Sequence, residues 1–425
     1  MRVYAAPRPQ RLRVRLYPQS PGGGGVQRLD TVLLSVRVGE VGPGPSDDRI
    51  YTIDAPTKRP YGNPQREGSR ALPPWAGPVA PPAMPGPDGH FDHFTPEHPR
   101  FRQVHLYGCV RFALDVWEKY IGRPIPWHFT RGYDRLELVA LRGWANAHMG
   151  YGYLEAGERL LPDGLVADLA LDFDVIAHEL GHALLLAFGG PFNPDRVTPE
   201  YEAFHEASAD WASMIAVLHF RPLIEELMES CRGDLDTSNR LSRFAEFSSS
   251  KQVRLANNDR TMWDFVRGWS SVHELSQPLL AALWDGFVEV YNEILVNRHA
   301  IPRAVERLAE EAELNDRLRP VAMREFAKAF QRRPDPFYDA IIEAREIAAS
   351  FLIDLWHRVD PTSFRFSDIA PLLAETDRRR FGGHLRKLVA GRLAIRGVGI
   401  VPPGPRLTPR SASNHLHSER MAMPF

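Results

Sequence analysis

The sequence predicts an α+β fold, on three observations. Runs that alternate apolar and polar residues gather in the first hundred positions. A strand-like stretch leads directly into a strongly apolar helical one between residues 136 and 188, and beyond residue 276 the pattern is almost wholly helical. The chain has 425 residues, 44% of them hydrophobic, enough for a sizeable core and for two or three domains. Fifty-two basic residues balance 53 acidic ones, so net charge implies neither a nucleic acid nor an anionic membrane as partner.

The N-terminal region, residues 1–100, contains the strand-like runs "RLRVRLY", "TVLLSVRV" and "RIYTID". They are bracketed by "PGGGG" and by "PPWAGPVAPPAMPGPDG", which reads as an extended linker. Three roles stay open for this region: an inhibitory segment, a substrate-docking module, or an extension of the main sheet. A helix follows in "VHLYGCVRFALDVWEKYIG", with Leu106, Val110, Ala113, Trp117 and Tyr120 at helical spacing. In "RLELVALRGWANAHMGYGYLE", Leu136, Leu138 and Ala140 alternate with Glu137, Val139 and Leu141 as in a largely buried strand, before a Gly/Tyr-rich hairpin. Residues 276–400 read as a helical lobe, and 401–425 as a disordered polar tail. The basic run "RRRFGGHLRKLVAGR" reads as a solvated helix face. Both cysteines, Cys109 and Cys231, fall in helical stretches, which argues against a disulfide framework. The start is basic but lacks an apolar run of seven residues, and no run of eighteen occurs downstream. The expectation is a cytoplasmic protein with no signal peptide and no membrane span.

Chemistry concentrates in "DFDVIAHELGHALLLAF", with Asp172 or Asp174 as N-cap and Gly189-Gly190-Pro191 as the stop. His178 and His182 lie one turn apart on one helical face, close enough for both rings to reach one Zn²⁺ at about 2.0–2.1 Å. Glu179 is offset beside them, where a carboxylate takes a proton from water without becoming a ligand. The three fixed residues of His-Glu-x-x-His arise by chance in roughly a few per cent of such chains, so a third ligand decides the matter. It is readable in "TPEYEAFHEASADWASMIAVL", a helix opened by Thr198 and Pro199 that carries Glu206 and Asp210 four apart. Glu206 would complete a His₂Glu set with an open fourth position, and Asp210 could accept a ring N–H from a ligating histidine.

"DVIAHELGHAL" and "EASAD", with "NAHMGYGY" upstream and "VHELSQPLLAALWD" downstream, resemble four segments of the thermolysin-like gluzincin metallopeptidases over about residues 101–290. The resemblance implies a zincin-like fold: a β-sheet lobe carrying the zinc helix and a mostly helical C-terminal lobe, with residues 101–275 as the catalytic domain. It implies zinc held by His178, His182 and Glu206, Glu179 as general base, Asp210 behind His178, and His273 as donor to the oxyanion. Asn146 and Ala147 would bind the peptide backbone by strand addition, Arg254 would bind substrate carbonyls, and Asp174 matches one position of the family's calcium cluster. The partner would be a peptide or protein substrate.

Two neighbouring motifs fit less well. Peptide deformylases take an upstream cysteine as third ligand, and Cys109 sits within an amphipathic helix; the longer metzincin motif needs a histidine where Phe188 stands. The rival of a different class is a latent or non-enzymatic zinc-binding scaffold that binds a peptide or protein partner.

Overall fold

The computed structural model describes residues 10–19, 28–62, 72–160, 166–190, 193, 195–236, 243–244 and 254–407. The "PGGGG" run and the tail from residue 408 on lie outside the described residues. Two compact units emerge, one running to Ala183 and one from Leu184 onward, and the division falls inside a single continuous helix.

In the first unit, strands β1 (Arg11–Leu16) and β2 (Asp30–Arg37) form an antiparallel pair. Leu12, Val14 and Leu16 alternate inward, as the sequence alternates. They meet helix α1 (Phe101–Ile121) at Gly108, where an added Cβ would lie 2.6 Å from Leu16 Cδ2, so this close approach requires glycine. Strand β3 (Ile50–Ile53) lies parallel to β4 (Leu136–Ala140), and β4 lies parallel to β6 (Tyr153–Ala156). Strand β5 (Ala147–Gly150) closes the sheet antiparallel to β6, giving the order β3-β4-β6-β5. The N-terminal region thus extends this sheet through β3. The Pro-rich stretch that follows β3 has no helix or strand but is pinned by backbone hydrogen bonds from Ala80 N to Asp54 O and from Gly44 N to Ala83 O.

Between β5 and β6 the chain turns through Tyr151 and Gly152, the latter at φ +89°, a conformation open to glycine. Strands β7 (Glu158–Leu160) and β8 (Val166–Asp168) then pair, and a short 3₁₀ turn, Leu169–Leu171, delivers the chain into helix α2 (Phe173–Gly189).

The approach to α2 is fixed by His105 of α1, which is fully buried. Its Nδ1–H donates to Ala170 O at 2.9 Å, while its Nε2 accepts the Tyr17 N–H at 3.0 Å. The neutral ring therefore ties β1, α1 and the entry to α2 together.

The second unit is helical. Helices α3 (Pro199–Val217) and α4 (Arg221–Cys231) are followed by the two-residue strands β9 (Arg243–Phe244) and β10 (Arg254–Leu255), which pair antiparallel. Helix α5 (Val272–Asn297) is the axis of the unit: it packs on α3, on α8 (Asp335–Trp356) and on α10 (Arg386–Ile395). Helices α6 (Arg303–Leu314), α7 (Arg319–Arg332) and α9 (Ile369–Arg380) complete it. Cys109 on α1 and Cys231 on α4 are free thiols.

Two sequence readings need correction. The last helical region begins at Val272 rather than after residue 276, because Ser271 caps it and Pro278 is accommodated inside the helix. The basic run is not one helix face. Gly382 and Gly383, at φ +73° and +84°, separate α9 from α10, and Arg379 and Arg380 turn back onto Asp354 of α8. Among the described residues, no helix is long and apolar enough to cross a membrane.

Burial pulls the pKa of His105 from 6.5 down to about 4, the Ala170 contact opposing this in part. The folded protein therefore resists a proton that the unfolded chain accepts, so stability is lost as pH falls from about 6.5 to about 4 and is fully present above that window. The expected loss from this residue is about 3 kcal/mol. Urea unfolding at a series of pH values should show it, with a shallower slope for His105→Gln.

Candidate metal centre and active site

Helix α2 begins where Asp172 caps it: the side chain accepts the Val175 N–H at 3.2 Å and the carbonyl accepts that of Ile176 at 3.1 Å. Asp174, the other acid in this first turn, is buried. Most of the helix is apolar and enclosed, with Ile176, Leu180, Ala183 and Leu184 at most 1% exposed. Against that background His178 and His182 are each only 6% exposed. One turn apart, their ring centroids lie 4.6 Å from each other with planes at 86°.

Glu179 is half-buried beside them, and its Oε2 accepts the backbone N–H of Met149 at 2.8 Å. Met149 belongs to β5, the outer strand, whose one neighbour in the sheet is β6. That N–H therefore points from the free edge of the sheet. Ala147 opens the same strand, and Asn146 directly before it accepts the Gly157 N–H at 2.9 Å, continuing the ladder with β6.

Helix α3 is set by Thr198, whose Oγ1 accepts the Tyr201 N–H at 3.0 Å and donates to Phe364 O at 2.8 Å, with Pro199 at the first helical position. Glu206 and Asp210 follow four apart, Asp210 buried and Glu206 partly exposed. Buried Ala203, Ala207 and Ala209 keep the helix slim. His273 stands in the first turn of α5, where Ser271 accepts the Glu274 N–H at 3.2 Å. Its Nδ1 is 3.0 Å from Glu206 Oε2, a contact that the sequence reading did not foresee.

The ligand atoms of His178, His182 and Glu206 all lie within 4.8 Å of one another. Tetrahedral zinc with ligands at 2.0–2.1 Å spaces its donor atoms about 3.4 Å apart, so small side-chain adjustments bring this set onto one ion. Two imidazoles and one carboxylate are also the donor chemistry zinc takes in hydrolytic sites. A second group, Glu289, Glu306 and Glu310, consists of carboxylates alone and is countered by Arg392 on Glu289 and Arg303 on Glu306. Arg254 lies in β10, its neighbour Leu255 paired with Arg243, a competing arginine.

Sequence reasoning missed the Met149 donor, because a backbone N–H leaves no trace in residue identity. It also missed Lys58 and Glu155, a pair with no exposure to solvent. The signal was present: an acid in the apolar strand "YLEA" that needs a cation from elsewhere.

No protein-family model matches the sequence, and no curated protein matches it. Among solved structures, the precursor of protealysin, a metalloproteinase from Serratia proteamaculans, aligns with a TM-score of 0.47 at 13% identity, over 86% of this chain and 90% of that one.

Thr198→Ala should cost about 1–2 kcal/mol in thermal or urea unfolding, since both a helix cap and a buried hydroxyl donor are lost. Thr198→Ser, which keeps both bonds, should recover most of it.

Proposed function

We propose that this protein is a zinc-dependent endopeptidase of thermolysin-like chemistry. The observation that carries the reading is the convergence of His178, His182 and Glu206 beside a half-buried Glu179 that is not part of the ligand set. Zinc held by those three side chains would polarise a scissile carbonyl and lower the pKa of water to about 7.

The remaining work falls to the chain itself. Glu179 takes the proton of the attacking water and returns it to the leaving amine, a relay that needs its carboxylate held still. The Met149 N–H supplies that hold at 2.8 Å. An extended peptide adds to the free edge of β5, with Asn146 and Ala147 as its first contacts. His273 keeps Nδ1 on Glu206, which orients Nε2 to donate to the oxyanion; with both nitrogens protonated the ring serves both partners. Asp210 is assigned to the free ring N–H of His178, Asp174 to support at the start of the zinc helix, and Arg254 to a substrate carbonyl.

Glu179→Gln should bind zinc as the wild type does yet lose at least about a thousandfold in peptide hydrolysis, measured by metal analysis alongside a peptide-library digest. Full activity in that variant would sink the mechanism. A zinc-loaded wild type that cleaves no peptide in the library would favour the scaffold or latent reading. His273→Ala should lower kcat by about 100- to 1000-fold, near 3–4 kcal/mol, with little change in zinc content. An unchanged kcat would remove His273 from the chemistry.

A further inference from the structure

After β3 the chain crosses one face of the sheet and brings donors to two acids that face one another's strands there. Glu137 on β4 and Glu155 on β6 are both wholly shielded from water. Glu137 accepts from Tyr51 OH at 2.7 Å, from Tyr61 OH at 2.6 Å and from the Trp75 N–H at 2.9 Å. Glu155 accepts from the Lys58 ammonium and from the Tyr61 N–H at 2.8 Å. Lys58 is itself completely buried, its ammonium 3.2 Å from the Tyr61 ring centroid.

The third partner of Glu155 comes from the substrate edge. His148 of β5 donates Nε2–H to Glu155 Oε2 at 2.7 Å, with its ring packed edge-on against Trp144 and Tyr153 at 4.8 and 5.4 Å. The next residue along is Met149, which holds Glu179.

This arrangement has a physical consequence for an edge strand. With one neighbour, β5 has half the hydrogen bonds of a central strand to define its register, and a slip of one residue would turn every side chain to the other face. Such a slip would place Ala147 or Met149 against Glu155. A buried carboxylate deprived of a donor is strongly disfavoured, so the charge penalises every register but one. Buried ion pairs add little net stability, and selecting one arrangement is their best-supported use.

We infer that His148, Glu155 and Lys58 are positioning residues for substrate: a chain from the N-terminal region through the sheet to β5 that fixes the register in which the strand meets an extended peptide. The inference rests on the proposed function, since it takes the free edge of β5 as the peptide site. It gives the segment after β3 a permanent place in the active enzyme, in contrast to an inhibitory segment that must be removed.

The test uses the full-length, zinc-loaded chain and a fluorogenic oligopeptide. His148→Phe and Lys58→Met should each raise KM about tenfold with kcat within about threefold of wild type and unchanged zinc content, and Lys58→Arg should recover most of the loss. The double variant should be little worse than either single one, because both act through Glu155. A purely structural role would lower the active fraction, and with it apparent kcat, while leaving KM alone. Folded, zinc-loaded variants with wild-type KM would overturn the inference. If Lys58→Met does not fold, His148→Phe, altered at a half-buried position, decides the matter alone. Should the wild type cleave nothing, the proposed function fails at that step. Fluorescence anisotropy with the same peptide then separates the two ideas: a tenfold weaker affinity in His148→Phe keeps the positioning role, and an equal affinity or no binding by the wild type ends it.

Discussion

Everything chemical in this molecule hangs on the helical repeat of α2. Four residues of α-helix return nearly to the same face, so His178 and His182 can converge while Glu179 is turned aside. The helix is otherwise apolar and enclosed, and two imidazoles in such surroundings are costly unless something binds them. The Asp172 cap fixes where the helix starts and hence which way that face looks. His105, one helix away, fixes the turn that delivers the chain to the cap.

The second constraint is the meeting of this helix with an edge strand. A sheet edge presents unpaired backbone donors, and most proteins blunt it. Here one of those donors, the Met149 N–H, is spent on Glu179, so the strand that could receive a peptide also holds the carboxylate that would act on it. Binding surface and proton acceptor are thereby coupled through a single backbone group. The same economy recurs on α5, where His273 both contacts the carboxylate of Glu206 and faces the chemistry proposed for it.

What the sequence made legible was local. The cap, the histidine spacing and the stop of α2 all lie within twenty residues, and Thr198-Pro199 announces α3 as directly. Non-local facts were not legible. Nothing in "RIYTID" says that β3 pairs with β4, some eighty residues on. Glu137 in "LELVA" reads as one face of an alternating strand, and it is enclosed because Tyr61 and Trp75 arrive from far upstream. Proline misled at residue 278, where a capped helix simply continues through it, and the two glycines of "RRRFGGHLRK" mattered more than its charges.

The parallel pairing of β3 with β4 also bears on how the chain is made. A parallel pair needs a long crossover, and this one contains the whole of α1. Closing it carries a large loop entropy that no local contact offsets, which places it among the slow steps of folding. During synthesis β3 emerges long before its partner, with both of its edges bare. The hairpin of β1 and β2 can form at once, but the sheet cannot nucleate until residues 136–140 have left the ribosome. The first hundred residues are thus translated early and consolidated late.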